Sequence, residues 1–195
     1  MILPIIAYGD PVLRKVGVDI DKDYPELDAL IENMRETMVN ASGVGLAAPQ
    51  IGKAIRLFII NATPFSEDED LEKEEREFLS KFNKVFINAK IIKEEGNDWV
   101  FNEGCLSIPD IREDVFRQEK VTIEYLDEKF EKHTDVIEGI AARIVQHEYD
   151  HIEGILFTDL ISTLKKRLIK KKLENISKGK VNPDYRMKFP SLKRK

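Results

Sequence analysis

Gln146-His147-Glu148-Tyr149-Asp150-His151 is the stretch that decides how this chain is read. The pattern H-E-x-x-H on a helix stacks two imidazoles one turn apart, so both can hold one metal ion. The surrounding sequence predicts that helix, over Gly139 to Glu153. Ile140, Ile144, His147 and His151 recur at spacings of four, three and four, and residues so spaced are neighbours on one helix face. The histidines therefore point where the apolar side chains point, inward. Glu148 lies beside such an ion and can act as a base on its water. Two histidines beside a core also have a plain reading, as ordinary hydrogen-bonded residues. Glu148 between them favours the metal.

A catalytic metal needs a third protein ligand and an open position. One class of zinc protease extends the motif to a third histidine after a glycine. Gly154 stands at the matching place here, but Phe157 occupies the last ligand position and cannot ligate. The remaining histidine, His133, sits among charges at a predicted strand edge and reads as a surface residue. Cys105, in Glu103-Gly104-Cys105-Leu106-Ser107, is the better third ligand. Gly104 permits a close backbone path beside the sulfur. Alone, Cys105 would read as an inert buried thiol.

Outward from these motifs, a chain of 195 residues suits one domain. Hydrophobic residues at 42% and charged residues at 34% exclude disorder throughout. A net charge of −5 gives no general attraction to nucleic acid. A lone cysteine forms no internal disulfide. Met1 to Ala7 is apolar but lacks a basic flank, and no apolar run approaches the ~20 residues that span a bilayer. The expectation is a cytoplasmic protein without membrane or sequence-specific DNA partners.

A first helix is predicted from Asp23-Tyr24-Pro25 to about Asn40, with Leu27, Leu30, Ile31, Met34 and Met38 facing the core. Strands are predicted at Ile55 to Ile60, Val85 to Ile92, Trp99 to Phe101 and Val121 to Leu126. Asp127-Glu128-Lys129 reads as a hairpin connection into a strand from Phe130 to Val136. Residues 66–77 carry eight acids and two bases and read as a solvated, partly helical insertion (about 64–80) without chemistry. From Lys165 to Lys180 there are eight bases and one acid, with Leu164, Leu168 and Leu173 as a narrow apolar side. Asn182 to Lys195 reads as a loose tail. These features divide the chain into a catalytic domain, 1–163, and a basic C-terminal helix and tail, 164–195.

Three motifs in order now stand together: Gly43-Val44-Gly45-Leu46-Ala47-Ala48-Pro49-Gln50, then Glu103-Gly104-Cys105-Leu106-Ser107, then the H-E-x-x-H stretch. This set resembles the signature of the peptide deformylase family, and Tyr8-Gly9-Asp10-Pro11-Val12-Leu13-Arg14 is similar to that family's N-terminus. The resemblance covers about residues 2–160. Asn88-Ala89 departs from it, since the family tends to have Asn-Pro there, and the acidic insertion is unusual.

The resemblance implies an α+β fold, with antiparallel sheets packed around a central helix bearing the motif and a C-terminal helix. It implies a hydrolase that removes the formyl group from formyl-Met peptides. Cys105, His147 and His151 would hold one divalent metal, Fe(II) in the cell, with Zn, Ni or Co possible after purification. Glu148 would take the proton of water and pass it to the leaving amine. The Gln50 amide and the Leu106 N–H would stabilise the formyl oxygen as charge builds. Gly43 and Gly45 would let the substrate pair like an added strand, beside Gly104. Val44, Phe101, Ile140 and Ile144 would line a methionine pocket, with Arg143 at its rim. Glu103 and Arg117 would form a buried pair bracing the cysteine loop. Each has a plainer reading: a turn for the glycines, a polar loop residue for Gln50. The basic segment would face the ribosome, or simply solvent. The rivals are a general metallopeptidase and a binding module with a structural metal. Three convincing ligands rather than four favour catalysis.

Overall fold

The computed structural model describes residues 1–190. In chain order it carries β1 (Ile5–Ile6), α1 (Leu27–Asn40), β2 (Gly45–Ala47), β3 (Leu57–Asn61), α2 (Lys73–Leu79) and β4 (Asn83–Cys105). There follow β5 (Ile108–Leu126), β6 (Lys132–Glu138), α3 (Gly139–Ile152), α4 (Phe157–Leu160), α5 (Thr163–Ser177) and β7 (Met187–Lys188). Strands β2 to β6 form one antiparallel sheet in sequence order, and β1 pairs with β7 in parallel. The fold is α+β.

The apolar runs of β3 and early β4 have no polar alternation because both sheet faces are covered. Phe58, Ile60 and Phe86 point into the core beneath α3, and Phe58 stacks on Phe86 at 4.7 Å. Leu57, Ile59, Val85 and Ile87 point into the core beneath α1. There Leu27, Leu30, Ile31, Met34 and Met38 are buried, as their spacing requires. The helix itself starts later than predicted. Tyr24 closes a turn onto Asp21, and Glu26 takes a left-handed φ of 54° that no helix admits, so Leu27 is its first residue.

The largest departure from expectation is β4. The predicted strands Val85 to Ile92 and Trp99 to Phe101 are parts of one 23-residue strand, which β5 follows back antiparallel. The polar run Lys93–Asp98 looks like a break but is carried as bulges, with Gly96 at a φ of 94°. Bulges bend a ribbon and re-aim its end. Here they let both halves of the hairpin lie against α3, with Cys105 at the tip. Asn88, at a φ of 52°, marks another bulge; its amide holds both the N–H and C=O of Ile20. The last sheet strand starts at Lys132 rather than Phe130. Phe130 has a φ of 60° and belongs to the turn, where Asp127 accepts the N–H groups of Lys129 and Glu131.

Helix α3 begins at Gly139 and receives its cap from far away. The Glu75 carboxylate of α2 accepts the Ile140 N–H at 3.0 Å, satisfying one of the donors a helix start leaves open. The acidic insertion is thus partly helical and exposed, yet Leu79 is buried and Phe65 and Leu71 pack on the core.

Helix α5 is capped by Ser162 and docks through Ile169, Leu173 and Ile176. Of the three predicted leucines Leu173 is buried, while Leu164 and Leu168 are exposed, so the buried stripe runs through Ile169 and Ile176 in their place. Beyond it the chain is no loose tail as far as residue 190. From Val181 to Phe189 every second residue is half-buried and the others exposed, the period of an extended strand. Its end, β7, pairs with β1. The last part of the predicted tail, 191–195, lies outside the described residues.

Candidate metal centre and cleft

Helical geometry and the hairpin tip bring Cys105, His147 and His151 together. One ligand atom from each lies within 4.8 Å of the others, and Cys105 Sγ is 3.3 Å from His151 Nε2. The imidazoles stand edge to face, centroids 5.2 Å apart. Among the described residues one further cluster has such spacing, Asp127, Glu131 and His133. There Asp127 is engaged by the hairpin turn, and His133 pairs with it at 2.8 Å.

Strand alternation builds the wall opposite α3. Trp99, Phe101, Glu103 and Cys105 are successive residues of one parity, hence of one strand face. Glu103 is buried and is the hub of the polar contacts. It accepts from Arg117 at 2.7 and 3.1 Å, from Arg143 at 2.9 Å and from His147 Nδ1 at 2.9 Å. The last bond leaves His147 Nε2 for the cluster, the usual way a partner fixes a ligand's tautomer. Arg117 also donates to Asp150, at 2.8 Å. Burial opposes ionisation of Glu103, but the hydrogen bonds from His147 and Arg117 prevail and hold it well below the ordinary carboxylate range. For His147 burial acts downward, yet Cys105 and Glu103 raise it well above the usual value. His151, buried beside His147 and Arg117, is depressed instead.

Glu148 has the opposite surroundings. It is buried, and its Oε2 has no hydrogen-bond partner. Burial pushes its pKa up to about 7, against the pull of His147. Its carboxylate occupies the space where a side chain at Gly45 would stand, so β2 must carry glycine there. His151 Nδ1 is likewise buried without a partner. Gln50 is fixed at one end, its Oε1 accepting the Ala47 N–H at 2.8 Å. Its Nε2 turns to Cys105 Sγ at 3.5 Å and Ser107 Oγ at 3.4 Å.

The cleft over these groups encloses about 820 Å³. Gly43, Val44, Gly45, Gln50, Phe101, Glu103, Gly104, Leu106, Arg143, Ile144 and Glu148 all border it. Ile140 is not among its lining residues. It is buried in the core one turn before Ile144, because α3 enters the cleft only from its second turn. Arg143, expected at the rim, is 2% exposed. It donates to Glu103 and to the Trp99 carbonyl at 2.7 Å, and its guanidinium lies 4.6 Å from the Trp99 ring.

Among the parts of the wall that escaped the sequence reading, two lie far from the motifs. Phe65 comes from the acidic insertion, where nothing in its neighbours marks it. Asn182 to Tyr185 come from the C-terminal return. There a signal existed: Val181, Pro183, Tyr185, Met187 and Phe189 alternate with polar residues.

Known proteins are similar to this chain in sequence and fold. Residues 2–167 match the family model described as polypeptide deformylase. The peptide deformylase of Christiangramia forsetii is 64% identical over 194 residues, covering 100% of this chain and 99% of that protein. That of Flavobacterium psychrophilum is 62% identical, covering 100% of both. A crystal structure of a peptide deformylase from Legionella pneumophila superposes with a TM-score of 0.78 at 36% identity, over 92% of this chain and 98% of that one. An Acinetobacter baumannii peptide deformylase solved with Met-Ala-Ser bound has a TM-score of 0.74 at 33% identity, over 83% and 99%. The match runs through all three motifs, the fold and nearly the whole chain, and the chain belongs to the peptide deformylase family, the metal-dependent hydrolases that remove the N-formyl group from new polypeptides.

Proposed function

We propose that Cys105, His147 and His151 hold the divalent metal of this deformylase and that Glu148 carries the proton during hydrolysis of a formyl-Met peptide. The supporting observation is the pairing of a tight sulfur–nitrogen cluster with a buried carboxylate oxygen that lacks a partner. The donor set fits such an ion: one thiolate and two imidazoles, one of them oriented by Glu103. When bound, the ion supplies Lewis acidity, which acidifies water and polarises the formyl carbonyl.

The chain's own residues do the rest. A carboxylate near pKa 7 can accept a proton and return it at neutral pH, so Glu148 suits both transfers, from water and to the leaving amine. The Gln50 amide, held by Ala47, and the Leu106 N–H at the hairpin tip donate to the formyl oxygen as it gains charge. Strand β2 is the edge of its sheet, so Gly43, Val44 and Gly45 can pair with an extended peptide, Gly104 facing it across the cleft. Val44, Phe101 and Ile144, with Phe65, enclose the methionine side chain, and Glu103 and Arg143 brace that wall.

Fe(II) is the proposed ion in the cell; the same donors accept zinc, nickel and cobalt. We place the protein in the cytoplasm, where new formylated polypeptides are made; separately, no described helix is long and apolar enough to cross a membrane. Residues 1–163 are the proposed catalytic domain, its cleft completed by Asn182 to Tyr185, and the basic face of the segment 164–195 is the proposed contact with ribosomal RNA. Salt-sensitive ribosome binding, lost when the exposed Arg167, Lys170, Lys171 and Lys172 are replaced by glutamate, tests that contact. The reaction itself is tested by formate release from a formyl-Met peptide, using anaerobically purified protein beside Glu148→Ala. Release by the first and silence of a metal-loaded variant is the expected result. Equal release by both would remove Glu148 from the chemistry.

A further inference from the structure

Leu106 and Ser107 form the turn of the β4–β5 hairpin, directly after Cys105. A turn of this kind exposes its carbonyl, and a mobile turn cannot aim an N–H. Three separate segments hold this one. The Tyr8 N–H donates to the Ser107 carbonyl at 2.9 Å. Gln50 Nε2 reaches Ser107 Oγ. The third tether comes from 79 residues further on: the Tyr185 hydroxyl donates to the Leu106 carbonyl at 2.8 Å.

Tyr185 is itself fixed. On its C-terminal side the Arg186 and Lys188 carbonyls accept the Ile5 and Ala7 N–H groups, each at 2.9 Å. Met187 and Phe189 pack with Ala7, Ile108 and Phe157 in the core beneath α5. The N-terminal strand therefore binds the C-terminal return by Ile5 and Ala7, and the hairpin tip by Tyr8. Tyr185 spans from one to the other at the cleft wall.

We infer that Tyr185 is a positioning residue for deformylation, its hydroxyl locking the Leu106 peptide so that the neighbouring N–H meets the formyl oxygen. The inference rests on the role proposed above for Leu106. A neutral hydrogen bond of this kind contributes roughly two- to tenfold in an equilibrium or rate. In Tyr185→Phe the ring and its packing remain and only the hydroxyl goes. The expected result is a fall in kcat of about three- to tenfold, with KM for a formyl-Met-Ala peptide within twofold and metal content unchanged. Wild-type kcat would overturn the inference, even if the melting temperature dropped. A raised KM at unchanged kcat would overturn it too, making Tyr185 a substrate contact. Gln50→Leu, assayed in parallel, separates this from the underlying reading. If Gln50→Leu is crippled and Tyr185→Phe is not, only Tyr185 loses its role. If Gln50→Leu turns over normally, Gln50 is no oxyanion donor, and the kcat of Tyr185→Phe still decides for Tyr185.

Discussion

His147 and Glu148 are adjacent on α3 and live in opposite surroundings. On the His147 side, Glu103 gathers two arginines and an imidazole, and Asp150 takes a further bond from Arg117. On the Glu148 side, the buried Oε2 has no partner and Oε1 fills the space beside Gly45. Buried polar groups are nearly always bonded, and an exception calls for an explanation. The difference teaches which side is scaffold and which is reactive. Satisfied charges hold a geometry, whereas an unsatisfied one is available to a proton.

The contrast breaks most visibly at Glu148. Glu148→Gln keeps the shape but cannot take a proton, and kcat should fall by about 10²–10⁴. The metal-free melting temperature at pH 8 should not fall, because no bond is lost. A stability loss there would mean that Glu148 belongs to the scaffold after all.

Glu103→Ala should do the reverse. It leaves Arg117 and Arg143 buried with less compensation, and breaking such a network costs about 3–5 kcal/mol. Denaturant unfolding of the metal-free protein measures this. A change below ~1 kcal/mol would show that Glu103 is dispensable to the fold.

Gly45→Ala sharpens the same boundary from across the cleft. The new methyl group must displace the Glu148 carboxylate, and a misplaced catalytic group costs about 10²-fold. Turnover near the wild-type value would mean the carboxylate has room to spare.

The two carboxylates also pull stability in opposite directions with pH. Glu103 is held below its ordinary 4.5, so its contribution is full above pH 4.5 and is lost as pH falls further. Glu148 is raised from 4.5 to about 7, so its contribution is present below pH 4.5 and is lost as pH rises to about 7. Melting curves of metal-free wild type and Glu148→Gln should therefore diverge between pH 4.5 and 7, with the wild type losing ground. Parallel curves across that window would contradict a raised Glu148.

The smallest expected effect lies at the helix start. Glu75→Ala removes a distant cap of α3 and should cost about 1 kcal/mol, with kcat nearly unchanged. A large loss of turnover would make the acidic insertion part of the reactive side.

How much of this was readable from residues alone follows from the range of the interactions. The α3 face and the α1 stripe are local, so spacing alone placed Leu27 to Met38 and the histidine pair. The continuity of β4 was hidden because a bulge tolerates the polar run that normally ends a strand. The phase of α5 was misjudged because Leu164 and Leu168 compete with Ile169 and Ile176 for the face that Leu173 shares, and only the partner surface decides. Tyr185 depended on a pairing across nearly the whole chain, although its strand-like alternation was visible. Glu75 as a cap left no local mark at all.

The one-sided run Trp99, Phe101, Glu103, Cys105 carries a consequence for how this lineage can change length. A strand's faces swap when its register slips by one. A single-residue deletion between Trp99 and Cys105 would turn the thiol outward and bring Asn102 and Gly104 toward α3. Only paired gains or losses would keep the parity there. The bulged stretch 96–97, already out of step with its neighbour, is where insertions and deletions should accumulate among descendants.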